Sequence, residues 1–177
     1  MKIRLGALLG ALILIPSSGF AAPAQMHACA LLTAGEIAGA VGGPAGRSQE
    51  QNITIPEGPS KGETMGGCMW RLGAQDMLSV SVVGALQGAQ REAALAGLDQ
   101  ANDALRAQGW TEDKKMIGDA RCSMMTPPRG QRDVPLMTGC MAEAKGMALS
   151  VGFMSPTKKV PVEQVKTLLD KAIARLP

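Results

Sequence analysis

Residues 67–83 read GCMWRLGAQDMLSVSVV, in which a strand that contains a cysteine and a strictly alternating strand flank a short turn. Leu78, Val80 and Val82 lie on one side of the second strand, and Ser79 and Ser81 lie on the other. Apolar residues at every second position are typical of a strand that packs one face against a core. The stretch therefore predicts a β-hairpin with one apolar and one polar face.

A second hairpin has a related sequence. Residues 139–153 read GCMAEAKGMALSVGF, and in both stretches Gly-Cys-Met is followed by Leu-Ser-Val and then by a helical pattern. The offsets between the two stretches are close to constant, so one deletion in the turn aligns them. We interpret the pair as a duplicated strand–strand–helix unit. The alternative is that two amphipathic hairpins reached similar sequences independently.

Three stretches have helical signals. Thr33 and Glu36 form a capping box, and the helix that they begin should end at Gly42. Residues 88–108 have helical spacing and precede Gly109. The chain ends in a third helix with Pro161 near its first turn, and its expected buried positions are Val165, Leu169, Ala172, Ile173 and Leu176.

Two segments carry signals for loops. Residues 43–67 are rich in Gly, Pro, Ser and Gln, and we expect a long, partly mobile surface loop with one short strand at residues 52–55. Residues 112–115, Glu-Asp-Lys-Lys, are predicted to be solvated charges of a turn. Further strands are predicted at residues 120–125, 136–144 and 147–154.

The amino terminus has the pattern of a secretory signal. Lys2 and Arg4 precede an apolar run over residues 5–15, and small residues follow, so we expect cleavage between about Ala21 and Ala24. We assign residues 1–22 to the signal and residues 23–177 to one domain. The apolar run is too short to span a bilayer, so we expect a periplasmic or secreted protein without a transmembrane anchor.

The charge gives no support for nucleic-acid binding. The formal net charge of +3 includes both cations of the signal, so the remaining domain carries about +1. Its charges are interspersed, and no basic run follows the pattern that tracks a phosphate backbone.

The four cysteines lie after the signal, and in an oxidising compartment they predict two disulfides. Three pairings are possible. If the duplicated unit is real, each half supplies one upstream cysteine and one Gly-Cys-Met cysteine. This favours Cys29–Cys68 and Cys122–Cys140.

The sequence CALLTAGE at residues 29–36, the later Cys68-Met69-Trp70 and the turn at Gly118-Asp119-Ala120 together resemble a family of small exported bacterial proteins and lipoproteins of unknown function. Members open with Cys-x-Leu-Leu-Thr-x-x-Glu and continue to a Cys-x-aromatic strand. The resemblance implies an α+β domain with a mostly antiparallel sheet and packed helices, and it brings no catalytic residues. A lipobox before Cys29 is missing, which argues against a lipid anchor.

Catalytic residues are scarce. The single histidine, His27, lies next to the processed terminus, where we expect a flexible residue, and serine or cysteine nucleophiles that rely on histidine are thereby disfavoured. Gly58, Gly62, Gly66 and Gly67 do not form a phosphate-binding loop. Only three aromatic residues follow the signal, which disfavours recognition by stacking. We therefore expect no enzymatic activity and no cofactor.

Methionine is the one chemical excess, with 12 residues. Thioethers are soft ligands that suit cuprous ion, so copper binding is an alternative function. Core packing is the competing role for these side chains. The methionines considered for copper lie near the cysteines in sequence: Met65, Met69, Met124, Met125, Met137 and Met141.

These observations together favour a non-catalytic binding or interaction domain. Its partner would be an envelope protein or a small ligand, and the sheet face and residues 43–67 are the expected contact surface. An enzyme is the third class that we considered, and only a polar cleft in the structure would favour it.

Overall fold

The structure is a computed structural model that describes residues 27–57, 61–84, 87–131 and 134–177. The predicted signal, residues 1–22, lies outside the described residues. Seven strands form one antiparallel sheet with the order β1-β2-β3-β7-β6-β5-β4. The predicted class, an α+β fold with a mostly antiparallel sheet, is confirmed. The strands are β1 (Ser48–Thr54), β2 (Thr64–Arg71), β3 (Met77–Gly84), β4 (Thr111–Ile117), β5 (Ala120–Thr126), β6 (Leu136–Ala144) and β7 (Met147–Ser155).

The helices are α1 (Ala34–Val41), α2 (Gly88–Ala107) and α3 (Val162–Ala174), and a short 3-10 helix, Ala28–Leu31, precedes α1. The predicted capping box of α1 is present, because the Thr33 hydroxyl accepts from the Glu36 backbone N–H and the Glu36 carboxylate accepts from the Thr33 backbone N–H. Gly42 ends α1 in the left-handed region, with a φ of 65°. Pro161 is the residue that precedes α3.

The two predicted hairpins meet at the centre of the sheet, where β3 pairs with β7. Val80 lies directly opposite Val151, and Leu78 lies opposite Phe153. Val80 and Val151 are also the positions that the proposed repeat makes equivalent, so a duplicated hairpin would give this register. The helices that follow the two hairpins, α2 and α3, lie on opposite faces of the sheet. The relation between the two proposed units therefore does not extend to their helices. The duplication stays a prediction.

One face of the sheet, the core face, packs against α3. Leu78, Val80, Leu149, Val151 and Phe153 are at most 1% exposed on this face. The buried side of α3 consists of Val165, Leu168, Leu169 and Ala172. Leu168 was not among the expected buried positions, and the expected Ile173 is only half-buried. The opposite face, which we call the outer face, carries Ser79, Ser81, Ser123 and Ser150.

The prediction of a long loop over residues 43–67 is wrong, although the short strand expected at residues 52–55 is present as the end of β1. β1 occupies Ser48–Thr54, and β2 already begins at Thr64. All seven residues of β1 are exposed, so the strand has no apolar alternation that a sequence pattern could reveal. Its backbone hydrogen bonds to β2 hold it at the sheet edge instead.

The prediction of a charged turn at Glu112-Asp113-Lys114-Lys115 is also wrong. These residues form the middle of β4, the other edge strand. Charged side chains are a common feature of edge strands, because they oppose pairing with other chains. One of the four, Glu112, has a side chain that is only 1% exposed.

Two disulfides join pairs of described cysteines, Cys29 with Cys68 and Cys122 with Cys140. These are the pairs that the duplicated unit favoured. The first connects the 3-10 helix to β2. The second joins residues that lie directly opposite each other on β5 and β6. Both therefore reinforce contacts on the core face.

Candidate functional site

A groove runs between α2 and the outer face of the sheet. Its volume is about 260 Å³. Ser79, Ser123, Gly139, Ser150 and Gly152 line it from the sheet, and Leu98, Asp99 and Asn102 line it from α2. Pockets for small molecules usually hold about 300–1,000 Å³, so the groove lies just below that range.

The floor of the groove is flat because two glycines lie side by side. Gly139 on β6 is directly opposite Gly152 on β7, and the next residues across the sheet are Ser123 on one side and Ser79 on the other. Glycine within a strand commonly marks a place where a ligand or another backbone approaches closely. A Cβ at Gly139 would have its nearest contact at 3.7 Å, so the space above this residue is open.

The α2 roof of the groove rests on polar contacts. None of its described residues is buried, and Leu98 is 38% exposed. Near the start of α2, Arg91 Nε donates to Glu143 Oε1 over 2.6 Å. Near the middle of α2, Asp99 Oδ1 lies 3.2 Å from Lys114 Nζ on β4. Both pairs join largely exposed side chains, and they are among the contacts that attach α2 to the sheet.

The strongest of these contacts surrounds Glu112. Asn102 Nδ2 donates to Glu112 Oε1 over 2.9 Å, and Arg106 Nη1 donates to Glu112 Oε2 over 2.5 Å. Lys114 Nζ lies 3.4 Å from the same Oε2. Buried carboxylates normally need such partners, because removing a charge from water is costly. Glu112 therefore connects the last turns of α2 to β4.

Arg121 is the cation of the groove that lacks a counter-charge. It is half-buried on β5 and points to the outer face. Within the described part of the chain, no carboxylate lies within 4.0 Å of its guanidinium, and its side chain makes no hydrogen bond. A guanidinium has five N–H donors in a planar fork. The guanidinium of Arg121 is therefore available to a ligand.

The methionines considered for copper are divided between the two faces. Met124 lies on the core face, and the other five project to the outer face: Met65, Met69, Met125, Met137 and Met141. Beside these residues the structure places two methionines that were not considered for copper, Met77 and Met154. Met77, Met154, Met137 and Met125 occupy directly opposite positions on four neighbouring strands. We call these four residues the methionine row.

The remaining sequence candidates do not converge. His27 is exposed, and its Nδ1 lies 3.3 Å from Glu50 Oε2, away from the groove. Among the described residues, no group of three or more His, Cys, Asp or Glu side chains could hold a metal ion. No helix in the described ranges is long and apolar enough to span a membrane.

Sequence reasoning missed the groove because its parts are far apart in the chain. Ser79 and Ser81 were assigned to the polar face of their strand, but nothing in the sequence places a helix above that face. A usable signal was present in Gly139 and Gly152, which interrupt two strands without a turn. A second usable signal was the weak apolar stripe of residues 88–108.

No protein-family model matches this chain, and no curated protein matches it in sequence. Among solved structures, the chain is similar to the extracellular domain of PknH from Mycobacterium tuberculosis. The TM-score is 0.55 with 14% sequence identity, over 86% of this chain and 95% of that domain. At this level of identity the similarity shows a shared fold alone.

Proposed function

We propose that this protein is an exported, non-catalytic binding module that holds a small molecule in the groove between α2 and the outer face of the sheet. The observation that carries the proposal is the flat floor of paired glycines, bordered by serine hydroxyls and roofed by a helix that buries none of its residues. Such a concave site with a few convergent polar groups is the usual form of a ligand pocket.

Export is supported by two independent features. Both pairs of cysteines form disulfides, which persist in oxidising compartments outside the cytosol. The structural neighbour is an extracellular domain. Together with the signal pattern of residues 1–22, these features favour the periplasm or the cell exterior.

A binding role is favoured over catalysis by the chemistry of the groove. Its lining carries serines, but the histidine that would activate one of them lies elsewhere. Its two carboxylates, Asp99 and Glu112, are each engaged by a cation. Hydrogen-bond donors and one unpaired guanidinium are groups that recognise a ligand, whereas general acid–base catalysis needs a proton acceptor that is accessible to substrate.

The test uses two matched glycine variants. Gly139→Val places two methyl groups in the groove, whereas Gly67→Val makes the same change on the outer face of β2, outside the groove. At both positions a Cβ has only ordinary contacts, of 3.7 Å and 3.5 Å respectively. A metabolite library is screened against the wild-type protein by ligand-observed NMR, and each hit is then titrated into both variants.

We expect hits that lose at least about tenfold in affinity with Gly139→Val, which corresponds to about 1.4 kcal/mol, and that bind Gly67→Val normally. Hits that bind both variants as well as the wild type would place the ligand elsewhere and contradict the proposal. Circular dichroism of both variants checks that the fold is retained.

A second candidate function is binding of a soft cation, and the methionine row favours it. Opposite side chains on neighbouring strands have Cβ atoms about 4.5–5.5 Å apart, so three adjacent thioethers can converge on one cuprous ion. Met137 lies between Met125 and Met154 in this row. Met137→Leu should therefore abolish binding in competition with a chromophoric cuprous chelator. Met116→Leu, a change at an exposed methionine outside the row, should leave binding intact.

A further inference from the structure

The charges of the groove indicate which kind of molecule it accepts. Lys114 lies between the carboxylates of Asp99 and Glu112, at 3.2 Å and 3.4 Å, and Arg106 makes a second ion pair with Glu112 at 2.5 Å. Both carboxylates of the lining are thus compensated by the protein itself. Arg121 is not, because no described carboxylate lies within ion-pair distance of it.

We propose that the ligand of this groove is a small polar monocarboxylate whose carboxylate binds the guanidinium of Arg121. This inference rests on the proposed function, since it assigns the ligand of the same groove. A guanidinium and a carboxylate form two parallel N–H···O bonds, and the half-buried position of Arg121 reduces the competition from water.

A single negative charge fits the site better than two. Asp99 and Arg121 border the same surface depression at the end of the groove, and Lys114 lies between the neighbouring carboxylates. Lys114 and Lys115 border this depression too, but each is already paired with a carboxylate, Lys114 with Asp99 and Lys115 with Glu163. The second charge of a phosphate dianion on Arg121 would therefore lie near Asp99 without an unpaired cation to balance it, and neighbouring like charges are unfavourable.

The remaining lining offers hydroxyl groups to a polar body, beside apolar surface from Leu98 and Met141. Ser79, Ser123 and Ser150 line the groove, and their hydroxyls make no hydrogen bond to other described residues. A serine hydroxyl can both donate and accept, so amide or hydroxyl groups on the ligand would satisfy it. No aromatic side chain is part of the lining, so no aromatic ring there would stack on a ring of the ligand.

The groove is small, with a volume of about 260 Å³, and it is open to solvent, so a small molecule is a suitable probe. N-acetylalanine is small and carries one carboxylate and one amide. N-acetylalaninamide has the same shape without the charge, so the two compounds form a matched pair of probes.

The experiment titrates both probes, and methyl phosphate as a dianionic probe, into the ¹⁵N-labelled protein. Shifts of the backbone amides of the groove are followed in the wild type, in Arg121→Gln and in Arg71→Gln. Arg71 is an exposed arginine on β2 that does not line the groove, so it controls for general loss of positive charge. The spectra of the variants without ligand show whether each retains the fold.

We expect N-acetylalanine to bind the wild type at least about tenfold more tightly than its amide, and Arg121→Gln to weaken it by about 10- to 100-fold. Arg71→Gln should change its affinity by less than about twofold. Equal binding of acid and amide, no effect of Arg121→Gln, or tighter binding of methyl phosphate would each overturn the monocarboxylate assignment.

Failure of this assignment and failure of the groove as a binding site give different results. If neither acid nor amide shifts the groove amides but library hits still depend on Gly139, the assignment to a monocarboxylate is wrong and the binding site stands. If the library hits are also insensitive to Gly139→Val, the binding site itself is wrong.

Discussion

Substitution of Glu112 tests how α2 is held over the groove. The Glu112 side chain is 1% exposed and accepts from Asn102 and Arg106, whereas the partners in the Arg91–Glu143 pair are 54% and 41% exposed. Exposed pairs contribute about 0–1 kcal/mol, but hydrogen bonds to a buried charge contribute about 1.5–3 kcal/mol. Glu112→Gln should therefore weaken the attachment of α2 by about 2 kcal/mol, and Glu143→Gln should weaken it by less than about 1 kcal/mol.

Native-state hydrogen exchange of the α2 amides measures this attachment directly. A change of about 2 kcal/mol raises the open population of α2 about 30-fold, and the core strands should keep their protection if the opening is local. Glu143→Gln is the matched control, because it removes a carboxylate that pairs with the same helix. Equal loosening of α2 by both variants, or uniform loss of protection in the whole sheet by Glu112→Gln, would refute the reasoning.

Three further predictions concern stability. Replacing Cys122 and Cys140 together by alanine should lower the unfolding free energy by about 3 kcal/mol in urea titrations, since the bridge closes a loop with a sequence separation of 18. Hydrogen bonds from Arg175 and from the Thr33 backbone lower the pKa of Glu36 to about 2 from an ordinary 4.5, so its stabilising contribution is complete above pH 4.5 and is lost as the pH falls towards 2. In Glu36→Gln, urea titrations between pH 5 and 2 should show a smaller loss of stability than in the wild type. Gly139→Val should raise the melting temperature by about 2–4 °C, because a β-branched residue replaces glycine within a strand.

The central hairpins could be predicted from the sequence because burial on one face forces a period of two on their residues. Leu78, Val80 and Val82 all lie on the core face, as do Leu149, Val151 and Phe153. The capping box at Thr33 could also be predicted from the sequence, because it depends on two residues three positions apart. In each case the physical cause is local in the chain.

The edge strands could not be predicted in the same way. β1 buries none of its residues, and β4 carries charges on both sides, so neither has the alternation that burial produces. Their strand conformation comes from backbone hydrogen bonds to β2 and β5, partners that a local pattern does not identify. The role of Glu112 was missed for the same reason, since its partners Asn102 and Arg106 belong to another element.

The groove could not be predicted from the sequence, because it is a space between separate elements of the fold. The sequence indicated that residues 88–108 form a helix, but it did not indicate on which face of the sheet the helix lies. That face is set by contacts such as Arg91 with Glu143 and Lys114 with Asp99, which join residues 52 and 15 positions apart. The binding proposal therefore depends on the structure more than on any motif.

The most direct test of the binding groove is to map bound ligand onto the protein by NMR. Hits from the metabolite library are added to the ¹⁵N-labelled wild-type protein, and every assigned backbone amide is followed. We predict that the largest shifts fall at Ser79, Gly139 and Gly152 on the floor and at Leu98 on α2. Shifts concentrated instead along β1, or between α1 and α3, would contradict the assignment of the groove as the binding site.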